Sequence, residues 1–349
     1  MIADVALDQR PASVPGLLRR WLRFGLGLVV GGVALWFVFR DADLGGVRAA
    51  LLAADVRWMV VALGSVVATV GVAVWRWRVL FHPDGGQLSW FDLASSLVIG
   101  QMLNIILPFR IGEITRAYWV SRAGGLPVGR ALGTIGMEKL ADLATLGAIA
   151  LLLLALVAIP PWLRPSTYAL AGVSALALVG VRLLAARGSR LLNDVRRAAA
   201  VLPRAVAHRV TELAATAFDA SRVLDSRTAS ATVAMLSVLV LVLSASTNYF
   251  VFVAFGFDLP VLAAFVLFVA LQIGLTIVSV PGNIGVFHYI TVLTLGAYAV
   301  DQQVALAYAI VLYVIALVPK ILAGAALLAL GPRARLSHVL VSSREEGRL

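Results

Sequence analysis

Six apolar runs long enough to cross a lipid bilayer dominate this sequence, at about residues 22–39, 58–75, 131–158, 166–186, 229–255 and 303–329. A crossing helix needs about 20 apolar residues, and inside hydrocarbon its backbone must satisfy every hydrogen bond internally. The chain is therefore read as an all-α polytopic membrane protein. The rest of the composition agrees: 61% of the 349 residues are hydrophobic and 13% charged, too little polar surface to cover a soluble globule of this size. No cysteine is present, which excludes disulfides, thiol catalysis and Cys-ligated metals. The first run follows Arg19, Arg20 and Arg23 like a signal peptide, yet it ends in Phe39-Arg40-Asp41 with no small-residue cleavage site, and is read as a retained helix.

Two further apolar segments, about 90–121 and 261–299, are each interrupted by the same pattern: Pro108-Phe109-Arg110-Ile111-Gly112 and Pro281-Gly282-Asn283-Ile284-Gly285. The pieces after the breaks, Ile111 to Ser121 and Val286 to Ala299, run about 11 to 14 residues and fall short of a crossing. Unwound backbone is tolerated at membrane depth only where it lines a cavity, so matched breaks in two halves of a chain point to a transport site. Both segments are read as re-entrant helical hairpins. Bent spanning helices are the alternative.

The net charge of +11 comes from 29 basic residues, nearly all arginine and nearly all flanking apolar runs. That pattern is topology charge and contact with anionic inner-leaflet lipid, and no nucleic acid is expected. With the arginine-rich segment 187–227 placed in the cytoplasm as a basic amphipathic helix, about 21 basic residues fall inside, including a turn at Trp75-Arg76-Trp77-Arg78, and Arg40, Arg48, Arg57 and Arg164 fall outside. The stretch Leu44 to Asp55 is expected to lie on the outer surface in the same way. The N-terminal arm (1–21) and tail (331–349) are then cytoplasmic, flanking one transmembrane domain over 22–330 in the bacterial cytoplasmic membrane. The two hairpins enter from opposite sides, as in an inverted repeat, and each is followed by a span carrying a lysine, Lys139 or Lys320.

Four basic residues, Arg110, Arg116, Lys139 and Lys320, remain at membrane depth, where a charge costs several kcal/mol unless paired or wetted. Around the first break lie Asn104, Arg110, Glu113 and Arg116. An arginine fork suits phosphate oxygens, and the free N–H groups of the helix starting near Gly112 face the same space, so this side is read as an anion site. A structural Arg-Glu pair pinning the hairpin is the alternative. Glu138, Lys139 and Asp142 on the next span form a second polar wall, a proton-coupling site or a helix-locking cluster. Asn283 and His288, with Gln272 upstream, occupy the second break and form its largely neutral counterpart. The four histidines are scattered and Lys139 sits beside the carboxylates, so no metal or cofactor is expected. Nor does any nucleotide-binding or nucleophile motif appear, and no catalytic residue is assigned.

Asn104-x-x-Leu-Pro-x-Arg-x-Gly-Glu113-x-x-Arg116, Glu138-Lys139-x-x-Asp142 and Pro281-Gly-x-Ile-Gly-Val-Phe287 together resemble the integral membrane region of lysylphosphatidylglycerol synthases and the related stand-alone flippase-like proteins. The resemblance spans about residues 20 to 330. It implies movement of a lipid with a polar, phosphate-bearing headgroup between leaflets, either an aminoacylated phospholipid or a polyprenyl-phosphate-linked lipid. No aminoacyl-transferase domain follows the membrane region here, so synthase activity is not expected. Where many relatives carry an acidic residue after the aromatic of the second motif, Phe287, this chain has His288. The rival readings are a membrane-embedded enzyme acting on a lipid headgroup, with Glu138 or Asp142 as base, and an accessory protein that docks a lipid-synthesis enzyme through 187–227. Homo-oligomerisation is compatible with all three.

Overall fold

A computed structural model of the chain describes residues 14–40, 42–107, 111–199, 206–207, 211, 215, 223, 225–277 and 280–346. The expectations for Arg110, for the arm 1–13, for most of the basic segment beyond Ala199 and for the last three residues of the tail lie outside them. The described residues are helical throughout, with no strand: α1 (Val14–Phe39), α2 (Leu44–Ala53), α3 (Val56–Leu80), α4 (Trp90–Ile106), α5 (Ile111–Gly124), α6 (Val128–Leu156), α7 (Arg164–Ala199), α8 (Arg227–Ala254), α9 (Val261–Ile277), α10 (Val286–Gly296) and α11 (Gln302–Glu346). Short polar side chains open several of them by taking backbone N–H groups that have no partner within the helix. Asp43 accepts from Gly45 and Gly46 at 2.9 and 3.0 Å, Asp55 from Arg57 at 2.8 Å, and Ser226 from Ala229 at 3.2 Å.

Among the described residues, four helices are long and apolar enough to cross a membrane: α3, α6, α8 and α11 as far as Leu330, with 25, 29, 28 and 29 residues. The other two expected runs, 22–39 and 166–186, lie in α1 and α7, which are not among these four. Two boundaries differ from expectation. α7 continues unbroken to Ala199, so the run at 166–186 and the start of the basic segment form one helix, which passes through Gly188 and meets no Pro after Pro165 to stop it. Trp75 to Arg78 is not a turn but the last part of α3, which ends at Leu80.

The four long helices and the short ones between them follow the same order twice along the chain, in two units. In each, a long helix is followed by two short ones and a second long helix: 25, 17, 14 and 29 residues in α3 to α6, and 28, 17 and 11 in α8 to α10 before α11. Val56 and Arg227 are the same distance apart in the chain as Trp90 and Val261, so the units keep register as far as the start of their first short helix. The leading helices α3 and α8 pack along one another. They run antiparallel: Asp55 N–H donates to the Ala254 carbonyl at 2.8 Å at one end, Ser65 and Thr247 hydroxyls meet at 2.6 Å midway, and Arg76 reaches Ser237 at 3.1 Å near the other.

Each pair of short helices folds back on itself, α4 on α5 and α9 on α10. In the first pair the backbones nearly touch, since a Cβ on Gly112 would overlap the Gly100 carbonyl oxygen. In the second, the chain turns through a single 3-10 turn, Pro281–Asn283, with Gly282 and Gly285 at φ 68° and 88°, where a side chain is disfavoured. α1 seals this break: a Cβ on Gly285 would overlap the Gly31 carbonyl.

Candidate functional site

Six charged side chains from three helices meet beside the first hairpin. α3 delivers Arg76, α5 delivers Glu113 and Arg116, and α6 delivers Glu138, Lys139 and Asp142. Glu138 and Asp142 are four residues apart and so share the α6 face turned toward Arg76. Glu138 sits at the centre: Arg116 Nη2 donates to its Oε2 at 2.9 Å, Arg76 Nη2 lies 3.6 Å from its Oε1, and Lys139 Nζ lies 3.8 Å from the same oxygen. Arg76 Nη1 also donates to Asp142 and, at 3.1 Å, to Ser237 of α8. Lys139 Nζ stands 3.4 Å from Glu113 Oε1. Three cations thus face three carboxylates.

The network is graded in burial. The Arg76, Arg116 and Glu138 side chains are 3%, 6% and 7% exposed, against 44%, 22% and 40% for Lys139, Glu113 and Asp142. Charges so deeply buried persist only when paired, and the Arg116 guanidinium gains further from the Trp77 ring 4.8 Å away. Trp77 is fully buried and its Nε1–H donates to Thr134 at 3.1 Å, which holds the ring in place.

The exposed edge of the network opens on a cavity of about 640 Å³. Asn104 of α4, Glu113, Lys139 and Asp142 line one side, and Asn283 of the second break and Lys320 of α11 the other. Hydroxyls and amides of α8 and α9 complete a polar belt, including Ser244, Thr247, Asn248, Gln272 and Thr276. Leu107, just before the first break, and Val280, just before Pro281 of the second, both border the same space. Lys320 has no carboxylate partner among the described residues, and the buried Asn104 Oδ1 accepts no hydrogen bond there.

Six of the ten residues singled out from sequence therefore share one cavity, and three do not line it. Arg116, expected to offer its fork to a phosphate, offers it to Glu138 inside the protein. Glu138 is likewise behind the wall. His288 packs its ring against Phe287 and Tyr313, with centroids 5.9 and 5.1 Å away, while Phe287 takes the cavity-lining place beside it. The tenth, Arg110, lies outside the described residues. Sequence reasoning missed Arg76, counted as a cytoplasmic loop charge but only 2% exposed. The signal was available: Ala62, Val66, Ala73, Arg76, Trp77 and Leu80 recur at helical spacing, and continuing α3 past residue 75 puts Arg76 on its buried stripe. Among the described residues no group of three or more His, Asp or Glu side chains is arranged to hold a metal ion.

A search of curated proteins returns no match. The description of the lysylphosphatidylglycerol synthase TM region, by contrast, matches residues 24–324, which takes in both repeat units, both breaks, the charge network and Lys320, and the chain belongs to that family.

Proposed function

We propose that this protein moves a lipid with a phosphate-bearing headgroup between the leaflets of the bacterial cytoplasmic membrane, leaving it chemically unchanged. The observation that carries the reading is the single cavity bordered by both helix breaks, through Leu107 on one side and Val280 and Asn283 on the other. Broken helices meeting at one polar cavity are the arrangement in which a site is exposed alternately to two sides. The sign of the charge favours an anion. The network's cations and carboxylates are equal in number, which leaves Lys320 as the unmatched charge on the wall, with Asn104 and Asn283 as neutral hydrogen-bonding groups. The headgroup occupies the cavity while the acyl chains remain in the bilayer against the exposed Ile106, Leu107, Ile111, Ile277 and Ile284 near the breaks. In this reading both hairpins are re-entrant, from opposite sides, both termini are cytoplasmic, and the basic cytoplasmic segments rest on anionic lipid.

Reconstitution into vesicles with headgroup-labelled phosphatidylglycerol, followed by quenching from outside, tests the proposal. Wild-type protein is expected to render the inner-leaflet label accessible, and Lys320→Gln to slow this at least tenfold while eluting as a folded species, since Lys320 breaks no ion pair when neutralised. Transport by Lys320→Gln at the wild-type rate would remove the lysine from the site. Conversion of aminoacylated or polyprenyl-phosphate lipids to new products by protein in detergent, where no second leaflet exists, would instead favour an enzyme.

A further inference from the structure

Lys139 differs from the other two cations of the network. It lines the cavity with a 44% exposed side chain, whereas the Arg76 and Arg116 side chains are 3% and 6% exposed. Each of its carboxylate partners also has another source of compensation. Glu138 keeps Arg116 at 2.9 Å and Arg76 at 3.6 Å. Glu113 lies in the first turn of α5, where unpaired backbone N–H groups and the helix dipole favour a negative charge. Asp142 is held by Arg76. Withdrawing Lys139 thus strands no carboxylate, whereas withdrawing Arg76 leaves Asp142 with no cation partner among the described residues. Its pairing with Glu113 at 3.4 Å is also, among the described residues, the one ion pair joining the start of α5 to α6, because Arg116 makes its pair one turn deeper.

We propose that Lys139 is an exchangeable latch: the phosphate of an incoming headgroup replaces Glu113 as its partner and so unfastens the start of the first hairpin's returning helix from α6. This rests on the lipid-transport reading above and adds to it a coupling between occupancy and movement. Both lysines contact the cavity, Lys320 without a carboxylate partner among the described residues and Lys139 already paired, so an anion seats first on Lys320 and then competes for Lys139. With phosphate on Lys139, Glu113 stays at the α5 N-terminus and repels the ligand, which favours displacement of α5 from the cavity wall. Departure of the lipid restores the pair and returns the hairpin. A ligand shifts such an equilibrium only through different contacts in the two states, and exchange of the Lys139 partner is that difference.

The test measures binding of short-chain dihexanoyl-phosphatidylglycerol to full-length protein in detergent, together with hydrogen–deuterium exchange over residues 111–124. Glu113→Gln removes the competitor and the repulsion, so the probe is expected to bind about tenfold more tightly than to wild type. Without ligand, exchange at 111–124 is expected to rise in the variant toward the level that probe-saturated wild type reaches. Glu113→Asp, which keeps the charge on a shorter arm, is expected to fall between the two. If wild type binds the probe but Glu113→Gln binds it no more tightly, or exchange at 111–124 does not respond to probe, the latch is wrong and the transport reading stands. If neither wild type nor variant binds the probe, both readings fall.

Discussion

Replacing Arg76 by methionine tests whether the charge network fastens α3 to α6. The side chain reaches Asp142, lies 3.6 Å from Glu138 and donates to Ser237 at 3.1 Å, joining α3, α6 and α8. After the change Glu138 retains Arg116 at 2.9 Å, so the loss falls on Asp142, which has no other cation partner among the described residues. Stranding one member of a buried pair costs about 3–5 kcal/mol. Because the Asp142 side chain is 40% exposed to the cavity, screening lowers the expected cost to about 2–3 kcal/mol. Ser237 keeps its own bond to the Val233 carbonyl at 2.8 Å and adds little. The assay is unfolding in mixed micelles at increasing SDS fraction, followed by tryptophan fluorescence. Arg76→Met is expected to shift the midpoint clearly downward, Asp142→Asn less so, and the double variant by less than the sum, with a coupling of about 1–2 kcal/mol. Arg78→Met, two residues further on, gives up bonds to the Gly85 and Gly86 carbonyls at 2.9 and 3.0 Å and the Trp90 ring 4.4 Å away but strands no carboxylate among the described residues, and is expected to cost about 1 kcal/mol. A wild-type midpoint for Arg76→Met, or strict additivity in the double variant, would refute the assignment of Arg76 as the ionic tie between α3 and α6.

Two further outcomes separate structural from ligand-contacting roles. Gly112→Ala places a methyl group on the Gly100 carbonyl, so the hairpin must splay; transport and thermal stability are expected to fall together, and an unchanged melting temperature would show the close approach is not required. Arg116→Lys keeps the charge but loses the planar fork on Glu138 and the stacking on Trp77, at an expected cost of about 1–2 kcal/mol in stability with probe affinity nearly unchanged. Loss of affinity at unchanged stability would put Arg116 in contact with phosphate after all.

Much of the fold was legible because membrane insertion imposes crude rules. Run length marked α3, α6, α8 and α11, and Pro followed by Ile-Gly three residues on marked both breaks. The boundary errors have one cause: hydropathy registers where apolar residues stop, while a helix stops where its hydrogen bonds do. α3 therefore carries Trp75 to Arg78 within its helix, and α7 runs to Ala199 through charged sequence. For the site, local spacing found the acidic and basic residues but mispaired them. Glu113 and Arg116 are near neighbours on α5, yet each pairs with α6 instead, because that helix presents Glu138 and Lys139 side by side at the contact.

The sequence by itself determined that this is a helical membrane protein with two interrupted segments and costly charges beside the first of them. Those conclusions follow from the solvation of each segment taken alone. The tertiary structure decided which charges neutralise one another and which face the cavity, since pairing depends on distances between residues such as Arg76 and Asp142 that lie on different helices. It turned Arg116 inward onto Glu138, because burying a charge costs too much unless a neighbouring helix supplies its counterpart, left Lys320 without a carboxylate partner among the described residues, and brought Leu107, Val280 and Asn283 beside the two breaks to one cavity.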